Sequence, residues 1–92
     1  MTRTVHVRIE GRVQGVYFRA WTEKTAHELG LSGWVRNRRD GAVEALFSGA
    51  ESGVSEMLAR CGDGPYDARV SRVEIIQEGG AAPEGFSVLP TA

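Results

Sequence analysis

Apolar and polar residues alternate from Thr4 to Glu10, with Val5, Val7 and Ile9 on one side and His6, Arg8 and Glu10 on the other. That period of two marks a half-buried strand, and Gly11 is expected to end it. Further on, Phe18, Trp21, Thr22, Thr25, Ala26 and Leu29 recur at steps of three and four, which predicts a helix with one buried face. Gly30 suits its C′ position, with Leu31 folding back on the last turn in a Schellman motif. Two short strands follow, Trp34 to Arg38 and Ala42 to Phe47, and the Asp40-Gly41 pair between them signals an antiparallel hairpin. Val54, Met57, Leu58 and Cys61 set out a second helix, from about Glu51 to Arg60. Its cap is either Ser48, with Glu51 completing a capping box, or Ser52. After a loop from Gly62 to Pro65, a strand from Arg69 to Gln77 carries Val73 and Ile75; Gly79 to Gly85 is a turn-rich connector, and Phe86 to Leu89 adds a last edge strand.

The order strand, helix, strand, strand, helix, strand predicts an α+β fold of the ferredoxin-like split βαβ type (βαββαβ), with both helices on one face of an antiparallel sheet. At 92 residues the chain fits a single domain, 1–92, with one modest core. No apolar run approaches membrane-spanning length. The opening, Met1 to Val7, alternates like a strand and lacks the apolar stretch of a signal peptide, so the expectation is a cytoplasmic protein. One cysteine, Cys61, and two histidines fall short of a four-ligand zinc site, and no metal or other cofactor is expected.

Charge is uneven along the chain. Residues 1–39 hold eight basic against three acidic side chains, a formal +5, which leaves −6 for the remainder of a chain of net charge −1. Such polarity fits a first half that handles an anion, and it equally fits solvated surface charge.

The segment Gly11-Arg12-Val13-Gln14-Gly15-Val16-Tyr17-Phe18-Arg19 lies between the first strand and the first helix. A glycine-containing loop running into a helix N-terminus leaves backbone N–H groups free to meet an oxyanion, although two glycines also serve simply to punctuate a tight connection. Neither the Gly-Lys-Ser/Thr of a P-loop nor a G-x-G-x-x-G fingerprint is present. Arg19 stands in the first helical turn, where a cation opposes the helix dipole unless an anion meets it, and its planar fork suits two phosphate oxygens. In the second segment, Gly33-Trp34-Val35-Arg36-Asn37-Arg38-Arg39-Asp40-Gly41, the two-residue period sets Asn37 on the side of Val35. Its amide is either a turn former beside Asp40-Gly41 or a group aimed at the anion loop.

Together the two segments resemble the signatures of the acylphosphatase family: G-R-V-Q-G-V-Y-F-R at Gly11 to Arg19, and G-W-V-R-N-R-R-D-G-A-V at Gly33 to Val43. The likeness extends to Gly64-Pro65, Ala68-Arg69-Val70 and Phe86-Ser87-Val88. Its departures, Tyr66 in place of a second proline and the ending Leu89-Pro90-Thr91-Ala92, fall outside both motifs. The resemblance implies a metal-independent hydrolase of acyl phosphates. It also implies that Arg19 binds the phosphate, that Asn37 positions the attacking water, and that main-chain N–H groups of Gln14, Gly15, Val16, Tyr17, Phe18 and Arg19 cradle the phosphoryl group. A loop shaped for a tetrahedral oxyanion makes inorganic phosphate and sulfate expected competitive ligands, and a monomer with no nucleic-acid or membrane partner is expected.

Acyl-phosphate hydrolysis suits a site without a titratable catalyst, because a carboxylate leaving group of pKa about 4 to 5 departs without a general acid. Other residues carry less. His6 alternates away from the helix side, and His27 sits beside Glu23 on the polar face of the first helix, so both are expected at the surface. Cys61 and Trp21 are expected in the core. Trp34 faces the open side of the sheet. The rival from another class is a non-catalytic anion-binding or nucleic-acid-binding module, which the basic half would serve but no RNP-like aromatic motif supports.

Overall fold

The computed structural model describes all 92 residues. Seven elements form in the order β1 (Thr2–Arg12), α1 (Phe18–Glu28), β2 (Ser32–Asn37), β3 (Val43–Ala50), α2 (Glu51–Cys61), β4 (Arg69–Glu78) and β5 (Phe86–Val88). They build a five-stranded sheet, β4-β1-β3-β2-β5, in which β1, β2, β3 and β4 pair antiparallel. The expected last strand does form, but it pairs with β2 in parallel, so the sheet is mixed.

Antiparallel partners share a face, and the register therefore sorts the alternating residues. Val5, Val7 and Ile9 lie opposite Phe47, Ala45 and Val43, which in turn face Gly33, Val35 and Asn37 of β2. This is the face that α1 and α2 cover. Its core joins these strand residues to Phe18 and Ala26 of α1 and to Val54, Met57 and Cys61 of α2. Burying a side chain of that size contributes about 1.5 to 3 kcal/mol. Thr22 and Thr25 belong to the buried stripe of α1 because each hydroxyl donates one turn back, to Phe18 O and Trp21 O at 2.8 Å.

The helix ends show where local signals suffice. Gly30 takes φ +69°, its N–H donates to His27 O, and Leu31 N–H donates to Ala26 O, which completes the predicted Schellman motif. Neither serine caps α2. Its N-cap is Ala50, without a side-chain bond; Ser48 lies in β3, bonded to the Thr4 hydroxyl, and Ser52 lies inside the helix. The first amide, Glu51 N–H, finds Met1 O at 2.9 Å instead.

Gly11 does not end β1, which continues to Arg12 against β4. A Cβ at Gly11 would stand 2.2 Å from Arg69 O, so glycine here permits close pairing of two backbones. The register slips twice along this pair, leaving Ser71 and Ile76 of β4 without opposite numbers. The slip at Ser71 lets Val70 and Val73, three residues apart, both pack against the core. Ile75 is on the same side but remains exposed, since β4 is the edge that the helices cover least.

The hairpin between β2 and β3 forms, though not through a two-residue turn. Arg38 N–H donates to Ala42 O, Gly41 N–H donates to Arg38 O, and only Gly41 of the loop has positive φ, +101°. That is a three-residue loop closed by glycine, with the Asp40 carboxylate accepting from Ala42 N–H at 3.1 Å.

On the open face, His6, Leu46 and Trp34 stand in one row, and Arg8, Glu44 and Arg36 in the next. His6 is a half-buried partner rather than a free surface residue: its Nε2 lies 2.6 Å from Glu44 Oε2. Arg36 also grips Glu44, at 2.7 Å, and its guanidinium covers the Trp34 ring at 4.9 Å. His27 makes no ion pair with Glu23; its ring stands edge-on to Phe86 at 6.4 Å. Cys61 is fully buried, and burial pushes its thiol up to about 12, as expected of a core residue.

Candidate active site

Between β1 and α1 the chain turns sharply. Gly15 adopts φ +73° and Tyr17 φ +62°, and Tyr17 is the sole non-glycine residue with positive φ. A left-handed conformation costs an ordinary residue roughly 1 kcal/mol, and it persists at Tyr17 although the side chain is 82% exposed and makes no cap bond. Packing on either side fixes it, for Val16 and Phe18 are both buried in the core.

The consequence is a run of free donors. No hydrogen bond within the chain uses the backbone N–H of Gln14, Gly15, Val16 or Tyr17. The first intrahelical bond of α1 runs from Trp21 N–H to Tyr17 O, so the amides of Phe18, Arg19 and Ala20 precede it as well. With the positive end of the helix dipole added, this segment has the electrostatics of an anion site.

The open pocket of about 570 Å³ at this point is lined by Gln14, Gly15, Tyr17, Phe18 and Arg19, and across it by Asn37. Arg19 is half-buried and has neither an ion pair nor a side-chain hydrogen bond. The other half-buried basic residues of the first half are all neutralised, Arg3 by Glu78, Arg8 by Glu10 and Asp40, and Arg36 and Arg38 by Glu44, whereas the unpaired Arg12, Lys24 and Arg39 are exposed. Half of the eight basic residues counted along the first part of the chain are thus paired in space, mostly with carboxylates of the second part.

Asn37 ends β2 on the helix side, as its period predicted, and its Oδ1 is buried with no hydrogen-bond partner. It is the one buried side-chain oxygen or nitrogen so left. A turn role is thereby removed, because the turn is made by Arg38, Asp40, Gly41 and Ala42 without the Asn37 side chain. Its main chain is held by the C-terminal tail, where Ala92 N–H donates to Asn37 O and Arg39 N–H donates to Ala92 O.

The acylphosphatase family model matches residues 5–88. The chain belongs to the acylphosphatase family. It is 51% identical over 89 residues to an acylphosphatase of Rhodospirillum rubrum, covering 97% of this chain and 98% of that protein. The solved acylphosphatase structure from Bacillus subtilis superposes with a TM-score of 0.87 at 31% identity, covering 97% of this chain and 99% of that one. The Coxiella burnetii acylphosphatase gives 0.85 at 36% identity, over 96% and 93%. Hydrolysis of acyl phosphates is the activity of this acylphosphatase family, and the chain is an enzyme of that class.

Three pocket features were not visible in the sequence of this acylphosphatase. The Gln14 side chain donates to Arg38 O and Ala42 O, and Glu23 and Val88 line the pocket beyond the loop. Gln14 lies inside the first motif, yet nothing local says where its amide goes. Glu23 is four residues after Arg19, which puts both on one side of α1 and was the available signal. The side chain of Val16 points into the core, so any ligand contact there falls to its main chain.

Proposed function

We propose that residues 1–92 act as one cytoplasmic, monomeric acylphosphatase domain that hydrolyses acyl phosphates by direct attack of a water held at Asn37, with no step routed through a metal. In this reading Arg19 and the amides from Gln14 to Arg19 bind the phosphoryl oxygens and spread their charge. Water adds its oxygen to phosphorus, the bond from phosphorus to the carboxyl oxygen breaks, and the acyl group leaves as a carboxylate with that electron pair. The protons of the water end on the released phosphate, so atoms and charge balance. Each well-aimed donor is worth about 3 kcal/mol in such a transition state.

The observation that carries the reading is the orphan Asn37 Oδ1. A buried acceptor left without a partner costs about 1 to 3 kcal/mol, and here it belongs to a residue that lines the same pocket as a free guanidinium and a row of free amides. An attacking water would satisfy it. No three His, Cys, Asp or Glu residues gather into a ligand set, which supports the metal-free route. No helix is long and apolar enough to cross a membrane.

Turnover of benzoyl phosphate in buffer containing EDTA is the test. Activity unaffected by the chelator is expected; loss on chelation with recovery on adding magnesium would sink the metal-free route. Absence of turnover combined with salt-sensitive RNA binding would favour the non-catalytic alternative.

A further inference from the structure

The pocket is much larger than a phosphoryl group, and the part beyond the loop has its own chemistry. Arg19, Glu23 and His27 recur at four-residue steps on α1, and His27 stands against Phe86 of β5. That stripe therefore faces β5, which runs parallel to β2 toward Asn37, with Val88 alongside Val35. Glu23 lies one turn, about 6 Å, further along α1 than Arg19. Ala20, Glu23 and Val88 line this end of the pocket, so a phosphoryl group held at Arg19 has its acyl substituent room to extend toward a carboxylate and a small apolar wall.

Glu23 is half-buried and has no partner. No ion pair joins it to Arg19 or to His27, nor does its side chain take part in any hydrogen bond, so its charge acts on whatever occupies the pocket it lines. The geometry points to Glu23 as the residue that sets the charge preference of the acyl subsite, favouring acyl phosphates with neutral or cationic acyl groups over those with a second anionic group. This rests on the acylphosphatase reading of the pocket. Its physical basis is the repulsion between like charges a few ångströms apart in a site partly shielded from water. Acyl phosphates derived from dicarboxylic acids, or carrying a second phosphate, are then turned over less efficiently than those of monocarboxylic acids and of carbamate.

The experiment compares kcat/KM for benzoyl phosphate, 4-carboxybenzoyl phosphate and 4-(trimethylammonio)benzoyl phosphate, in the wild-type chain and in Glu23→Gln and Glu23→Lys. Inhibition by inorganic phosphate is measured in parallel. Wild type is expected to rank cationic above neutral above anionic. Glu23→Gln should shrink the cationic-to-anionic ratio by about three- to tenfold, and Glu23→Lys should invert it. A ratio that does not move, with all three substrates still hydrolysed, overturns the proposal alone. An equal change for the three substrates that tracks the inhibition constant of phosphate also overturns it, since Glu23 then acts on Arg19 and not on the acyl group. Absence of turnover of all three by the wild-type chain overturns the enzymatic reading and this proposal with it.

Discussion

Gln14, which lines the pocket, donates from Nε2 to Arg38 O at 2.7 Å. The same nitrogen donates to Ala42 O at 2.8 Å. Both carbonyls belong to the ends of the β2–β3 loop, one residue beyond Asn37 in one case and one before Val43 in the other. A single amide thus fixes the distance between the anion loop and the strand end that carries Asn37, two groups far apart in sequence. In the proposed mechanism, which works by positioning, that distance has to be held.

Replacing Gln14 by leucine removes both bonds, while Arg38 O keeps the Gly41 N–H and Ala42 O keeps the Arg38 N–H. Stability should fall by about 1 to 3 kcal/mol, read from urea unfolding. If the tie positions the loop against Asn37, kcat should drop by roughly tenfold or more in the folded variant. A variant that is less stable yet keeps wild-type kcat would show that Gln14 staples the fold and nothing else.

The two proposed side-chain roles separate by measurement. Arg19→Ala should lose phosphate binding as well as turnover, and Arg19→Lys should not restore it, because an ammonium lacks the planar fork. Asn37→Ala should keep phosphate affinity within a few-fold while kcat falls by about a hundredfold. Calorimetric titration with phosphate, beside the kinetics, distinguishes them. Equal loss of phosphate binding in both variants would dissolve the division of labour.

Free amides from Gln14 to Ala20 and the unpaired Arg19 fit any tetrahedral oxyanion. Inorganic phosphate and sulfate should therefore inhibit competitively against benzoyl phosphate, raising apparent KM at constant kcat. Purely noncompetitive inhibition would move the substrate away from this loop.

Part of the acid sensitivity should run through Glu44, the buried carboxylate held by Arg36 and His6. Burial works against its ionisation, but the hydrogen bonds from Arg36 and His6 outweigh that, and its pKa is lowered on folding. A carboxylate whose folded pKa is depressed contributes stability above its unfolded pKa, about 4.3, and loses that contribution as pH falls through the lower folded value. Glu44→Gln should thus flatten the decline of unfolding free energy below about pH 4.3 relative to wild type. An identical acid limb in both proteins, measured by denaturant titration from pH 7 to pH 3, would assign acid sensitivity to other carboxylates.

The sequence by itself determined what depends on near neighbours along the chain. Alternation at Val5, Val7 and Ile9, and the three-four spacing of α1, fix which side of each element is apolar, since backbone geometry alone sets those periods. The Schellman end at Gly30 is equally local, and the two motifs around Arg19 and Asn37 marked the residues that the fold brings to one pocket. Tertiary structure decided the rest. Gly11 looked like a terminator because its crowding against Arg69 O involves a strand some sixty residues away. The α2 cap was sought in Ser48 or Ser52, whereas Met1 O supplies it from the far end of the chain. Asn37 could be told from a turn residue only once its oxygen was seen buried and unpartnered, and Val88 joined Glu23 at the pocket only because β5 lies beside β2. Local periodicity records which face of an element is buried; it holds no information about which distant backbone atoms that face will meet, and those meetings make the pocket.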